Sequence, residues 1–272
     1  MTILKRCSLL FLSNACLLAM AGLSAMTTSA FADETDAFQR RVYRDKDGGE
    51  LPYRLLAPRE YDAARQYPLV LFLHGAGERG ADNQKQLIHG MGDFLRDEIR
   101  GKYPCFVVAP QCPQNKQWVA VPWSADEHTM PKTPSTPLRQ AVELVDALTK
   151  EFSIDEDRLY VTGLSMGGFG AWDAVQRHPQ KFAAAAPVCG GGDAALAKTI
   201  AGVPIWAFHG DQDNAVKVKR SRDMIEALKK AGGSPRYTEY PGVGHNSWAV
   251  TYRNPELYAW LFAQRRGQAD EK

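Results

Sequence analysis

Residues Arg158 to Val175 read RLYVTGLSMGGFGAWDAV, and the change of period inside this stretch decides the fold. Leu159 and Val161 alternate with Tyr160 and Thr162, the two-residue repeat of a strand, whereas Phe169, Trp172 and Val175 recur at three-residue intervals, as along one face of a helix. Between them lies Gly163-Leu164-Ser165-Met166-Gly167, a G-x-S-x-G pattern. Small residues around Ser165 allow a sharp strand-to-helix turn that holds Oγ out at the helix N-terminus, where a serine can serve as a nucleophile. Such a serine needs a base, an acid that orients the base, and N–H donors for the oxyanion.

Upstream, Tyr67 to Leu73 is a continuous apolar run suited to a parallel strand buried on both faces. It ends in His74-Gly75-Ala76-Gly77-Glu78-Arg79-Gly80, whose glycines let the backbone approach a ligand with its N–H groups turned inward. This is where a serine hydrolase takes its second oxyanion donor, so Ala76 N–H is assigned that role, with Gly77 as the alternative and Met166 N–H as the other donor. His74 is expected to orient the loop, and Glu78 and Arg79 to pair at the surface. Before this strand, Phe38 to Pro58 reads as a hairpin about Asp47-Gly48-Gly49. After it come a mixed helical segment, Asn83 to Glu98, and a second buried run, Pro104 to Pro110.

Residues 111–137 carry five prolines and no period. A loop of this length leaving the carboxyl end of a parallel strand lies on the ligand-binding edge of the sheet. Trp118, Trp123 and His128 are therefore candidates for substrate contact, the alternative being that the rings pin the loop to the core. Leu138 to Phe152 follows as an amphipathic helix, with Leu138, Ala141, Val142, Val145 and Leu148 on one face.

Downstream, Phe182 to Val188, Val203 to Phe208 and Arg236 to Tyr240 read as strands, and Lys219 to Ala231 and Pro255 to Arg265 as helices. Strands alternating with helices predict an α/β protein with a doubly wound, mostly parallel sheet and helices on both faces. On such a hydrolase sheet the chain order is serine, acid, histidine. Asp213 follows a late strand and His245 follows the last one, so they are assigned as acid and base. Asp211 shares the acid's loop and is its rival. Of the six histidines only His245 lies beyond the acid. Neither H-E-x-x-H nor paired-cysteine spacing occurs, so no metal or cofactor is expected.

At the N-terminus, Lys5 and Arg6 precede an apolar run from Leu9 to Leu23, and Ala30-Phe31-Ala32 precedes Asp33. This predicts a secretory signal peptide over 1–32, cut after Ala32, and a secreted or periplasmic protein with no stable membrane anchor. Ser13, Asn14 and Gly22 interrupt the run and argue against a span, and Ser13-Asn14-Ala15 before Cys16 is a poor lipid-attachment signal. The rest, 33–272, is long enough for a single catalytic domain. The leader holds two of the 33 basic residues and no acidic one, which leaves 31 of each sign in the mature chain and no surplus to attract nucleic acid. Cys105, Cys112 and Cys189 remain. Cys112 and Cys189, each following a strand at the same sheet edge, are the expected disulfide pair, since Cys105 and Cys112 bracket one extended strand.

Together, LFLHGAGERGADNQKQL, VVAPQCP, RLYVTGLSMGGFGAWD, WAFHGDQD and YPGVGHNSW make the chain resemble the α/β-hydrolase superfamily. Within it the chain is similar to secreted bacterial esterase- and peptidase-like proteins related to polyhydroxybutyrate depolymerases, phospholipase/carboxylesterases and dienelactone hydrolases. The similarity covers nearly the whole mature chain. It implies the α/β-hydrolase fold and a Ser–Asp–His triad on Ser165, Asp213 and His245. One departure is Asp213-Asn214-Ala215-Val216, where relatives more often carry apolar residues or proline. The expected function is a carboxylic ester hydrolase acting through an acyl-enzyme on small or polymer-attached esters. A serine peptidase of the prolyl-oligopeptidase type and a catalytically silent binding protein on the same fold are the alternatives.

Overall fold

The computed structural model describes residues 36–267, and the expected leader, 1–32, lies outside them. Among the described residues, Phe38 to Gly267 form one compact unit. Its centre is an eight-stranded sheet of β1 (Gln39–Arg44), β2 (Glu50–Leu56), β3 (Tyr67–Leu73), β4 (Phe106–Pro110), β5 (Ile154–Leu164), β6 (Ala184–Val188), β7 (Trp206–Gly210) and β8 (Arg236–Tyr240). The spatial order is β1-β2-β4-β3-β5-β6-β7-β8. β1 and β2 form the expected hairpin and β2 joins β4 antiparallel, while every later pairing is parallel.

Burial explains that order. Every residue of β3, β4 and β6 is buried, as continuous apolar runs require when helices cover both faces. Each such Leu, Val or Phe contributes about 1.5–3 kcal/mol relative to an exposed position. β1, with the sequence QRRVYR, and β8, with RYTEY, are at most half-buried and form the edges, where charged side chains discourage pairing with another chain. The helices are α1 (Asp97–Lys102), α2 (Thr136–Glu151), α3 (Met166–Arg177), α4 (Lys219–Lys230), α5 (Trp248–Arg253) and α6 (Pro255–Ala263). Right-handed crossovers put α1 on one face and α2, α3 and α4 on the other. The face of α1 is completed by α6, whose Phe262 stacks on Tyr103 at 4.9 Å.

Three expectations change. Asn83 to Glu98 is not one helical segment but two short 3-10 turns, Lys85–Leu87 and Gly92–Leu95, ahead of α1. Gly90, at φ +75, breaks the run, and a Cβ there would stand 2.7 Å from the Tyr252 ring. Two helices rather than one follow the last strand, because α5 precedes the expected helix at Pro255, which stands as α6. The Cys112–Cys189 disulfide is absent, all three described cysteines being free and buried. Strand order gives the reason: β3 and β5 lie between β4, which Cys112 follows, and β6, which Cys189 follows. Three strand spacings amount to roughly 14 Å, beyond the reach of a disulfide.

Residues 111–135 contain no helix or strand, yet they are tied down along their length. Cys112 N–H donates to His74 Nε2 at 2.9 Å, and the Trp118 indole N–H donates to His74 O at 2.9 Å. Arg220 on α4 donates to Ala125 O and to His128, Asp193 accepts from Met130 N–H, and Arg177 on α3 donates to Pro131 O. Ser135 caps α2 by accepting from Leu138 N–H, which starts that helix two residues before its apolar face.

Candidate active site

Ser165 stands where β5 becomes α3, at φ +54 and ψ −118. A non-glycine residue at positive φ is strained and persists only where its surroundings over-determine it. The flanking glycines are part of that constraint. A Cβ on Gly163 would fall 2.4 Å from Gly167 O, and one on Gly167 would fall 1.8 Å from Leu73 O. The elbow and the end of β3 therefore meet backbone to backbone, which no larger residue permits. β3 and β5 are neighbours whose connections leave in opposite directions across the sheet, the switch point at which open α/β sheets bind ligands.

Ser165 Oγ lies 2.8 Å from His245 Nε2, and His245 Nδ1 lies 2.7 Å from Asp213 Oδ2. His245 comes from the loop after β8 and Asp213 from the turn after β7, so three separate strand ends bring the groups together. The other carboxylate oxygen of Asp213 accepts from Ala215 and Val216 N–H, each at 2.8 Å. Burial alone would raise this carboxyl, but hydrogen bonds from His209, His245 and Val216 more than offset it and hold Asp213 well below the ordinary carboxylate range. Asp211 does not reach His245. It accepts from Gly242 N–H at 2.7 Å and braces the histidine's loop.

Ala76 opens a 3-10 turn, Ala76–Glu78, and Met166 opens α3. First-turn N–H groups lack an intrahelical acceptor, which leaves both available. His74 is buried, its Nδ1–H donating to Gly75 O at 2.6 Å while Nε2 accepts from Cys112. Desolvation pulls its pKa down to about 4, so it stays neutral with both nitrogens engaged.

Glu78 and Arg79 are not a surface pair. Glu78 is buried and turned toward His89, 3.7 Å away, and burial raises its carboxyl. Arg79 donates to Ala76 O at 2.8 Å and lies over the Trp123 ring. Trp118 likewise departs from the expectation of substrate contact. It is 0% exposed, belongs to the core cluster and has its N–H satisfied by His74, so no face remains for a ligand. Trp123 is half-buried beside Arg79, and His128 packs on Phe169 while accepting from Arg220.

Two residues near the reacting groups were not singled out from the sequence. Trp248 sets its ring perpendicular to that of His245 at 5.3 Å and also meets His89 at 5.5 Å. Its spacing of three from His245, in a segment that turns helical, was the available signal. His209, which precedes the acid in the chain, reaches Asp213 Oδ2 at 3.2 Å. Cys189, Asp213 and His245 have ligand-type atoms within 4.8 Å of one another. Both ring nitrogens of His245 are engaged and burial pushes the Cys189 thiol far up, so the trio is an imidazole–carboxylate pair backed by a neutral thiol rather than three open metal donors.

The dienelactone hydrolase family model matches residues 124–260, half of the chain and all of the acid and base loops. The chain belongs to the dienelactone hydrolase family. This places it in the α/β-hydrolase superfamily, as the resemblance implied, and the unit described here is a hydrolase of the esterase type. It is similar to a solved thermostable esterase at 42% identity and TM-score 0.80, over 85% of this chain and 64% of that one. A probable carboxylesterase of Oryza sativa is 30% identical over 70% of this chain and 76% of its own length. An uncharacterized secreted protein of Arthroderma benhamiae is 27% identical over 73% of this chain, which spans only 24% of that relative.

Proposed function

We propose that the protein is a secreted carboxylic ester hydrolase with a single catalytic domain over 33–272, in which Ser165, His245 and Asp213 act as nucleophile, base and orienting acid. The observation that carries this reading is the unbroken hydrogen-bonded path from Ser165 Oγ through both ring nitrogens of His245 to Asp213 Oδ2. Ser165 Oγ attacks the ester carbonyl carbon as its proton passes to His245 Nε2, and Asp213 stabilises the imidazolium. Ala76 and Met166 N–H groups receive the oxyanion. The intermediate collapses as His245 returns the proton to the leaving alcohol. Water, deprotonated by His245, then attacks the acyl-enzyme and releases the acid.

Ser165 and His245 are half-buried and so partly open to a substrate, and Trp123, beneath Arg79 next to the oxyanion turn, and Trp248, against His245, offer ring surface. The apolar leader and the secreted relative support export. A fluorophosphonate probe tests the central claim: the wild type should be labelled and should turn over a nitrophenyl ester, and Ser165→Ala should lose both while remaining folded. Labelling that persists in Ser165→Ala would sink it. N-terminal sequencing of the exported protein should begin at Asp33.

A further inference from the structure

His209 is fully buried on β7, and the path from serine to acid leaves it without a role. Its Nε2 faces two acceptors, Asp213 Oδ2 at 3.2 Å and Val216 O at 3.0 Å. A nitrogen facing only acceptors must carry a proton. Its Nδ1 lies 2.7 Å from the hydroxyl of Ser221 on α4. Two proton arrangements satisfy these distances. In the first, Nδ1 is a lone pair that accepts from Ser221 O–H. In the second the ring is a cation whose Nδ1–H donates to Ser221 Oγ, and the Ser221 O–H donates in turn to Gly190 O. That oxygen is 3.4 Å away, a long and weak contact for a hydroxyl donor. With that acceptor so distant, the Ser221 hydrogen is better placed on Nδ1, which favours the first arrangement, a neutral ring protonated on Nε2.

Asp213 therefore has donors on both oxygens, two backbone N–H groups on Oδ1 and two imidazoles on Oδ2. The Oδ1 donors, Ala215 and Val216, belong to the carboxylate's own irregular turn and would move with it. His209 differs in kind, being part of a strand in the sheet and tied through Ser221 to α4. Groups held by regular elements keep a reacting geometry that loop contacts alone let drift. Glu239, the register partner of His209 on β8, is held by Arg222 and Tyr237 and does not compete.

We propose that His209, fixed as its Nε2–H tautomer by Ser221, is a positioning residue that anchors Asp213 to the sheet and keeps Oδ2 directed at His245. This rests on the reading of Asp213 and His245 as acid and base. A neutral ring suits the task because it donates a hydrogen bond without cancelling the carboxylate charge that the imidazolium of His245 requires.

The two amide replacements separate this role from mere packing. Glutamine reaches far enough to put an N–H near the Nε2 position, whereas asparagine reaches only as far as Nδ1. With kcat expressed per fluorophosphonate-titrated site, His209→Asn should lower kcat ten- to a hundredfold with KM within about twofold, and His209→Gln should recover most of the loss. Ser221→Ala keeps the ring but frees its tautomer, and should lower kcat several-fold at unchanged KM even if His209→Asn does not fold. Wild-type kcat in Ser221→Ala, or equal losses in the Asn and Gln variants that follow their melting temperatures, would overturn the proposal. A wild type that neither labels nor turns over ester would instead overturn the reading beneath it.

Discussion

Two loops leave the same edge of the sheet and do opposite things. The turn after β7, which carries Asp211 and Asp213, is short, and its carboxylates meet the backbone N–H of Gly242 and the ring of His245. The connection after β4, residues 111–135, is about three times as long and directs one of its two tryptophans, Trp118, into the core. Length and aromatic content single out the second loop as the one that would meet substrate, yet the first holds the carboxylate that meets His245. The difference lies in where each loop's polar groups find partners. Asp213 holds one carboxylate oxygen on its own turn and offers the other to His209 and His245, whereas the Trp118 indole N–H is taken up by a buried backbone carbonyl at the exit of β3.

The largest effect expected from this contrast is on the acid turn. Asp213→Asn should reduce kcat by roughly 10⁴, as loss of the tautomer-setting carboxylate does in serine triads, while Asp211→Asn should cost only a few-fold. Steady-state kinetics of both variants decides it, and a reversed order would exchange the two roles. On the long loop, Trp118→Ala should destabilise the fold by about 3–5 kcal/mol and lower activity equally on small and bulky esters. Denaturant unfolding with a two-substrate assay checks this; a selective loss on bulky esters with unchanged stability would return Trp118 to the binding surface.

The anchoring of the long loop also predicts a pH dependence. Burial lowers His74 from 6.5 to about 4, so between these values the unfolded chain binds a proton that the folded chain refuses. Stability should therefore rise with pH across that window and fall by up to about 3 kcal/mol as pH drops through it. Melting temperatures between pH 4 and 7 should show a shallower slope in His74→Gln than in the wild type, and parallel slopes would rule the cause out. The smallest effect is expected at the mouth of the site. Trp248→Ala should raise KM three- to tenfold for aromatic esters and less for acetate esters, whereas equal effects on both would mean that the ring only supports His245.

Much of the site was legible because it is encoded locally. Gly163, Ser165 and Gly167 announce a turn whose tightness the backbone requires, and the apolar runs of β3 to β6 announce strands buried on both faces. Asp213 and His245 followed from chain order on a parallel sheet, although their approach to within hydrogen-bonding distance is a tertiary fact. What misled was inference across the sheet from sequence alone. Cys112 and Cys189 each follow a strand, but only the strand order reveals two others between them. Glu78 beside Arg79 reads as a surface pair until the 3-10 turn carries the acid inward.

The sequence by itself determined the fold class, the elbow and the serine at its tip, because periodicity and glycine placement act over a few bonds. Only the tertiary structure decided that Asp213 rather than Asp211 meets His245, that Trp118 is a core residue while Trp248 faces the histidine, and that His209 shares the carboxylate. Each of those outcomes depends on which distant backbone or side-chain group completes a buried hydrogen bond, and that choice is made by the order and register of strands rather than by any local run of residues.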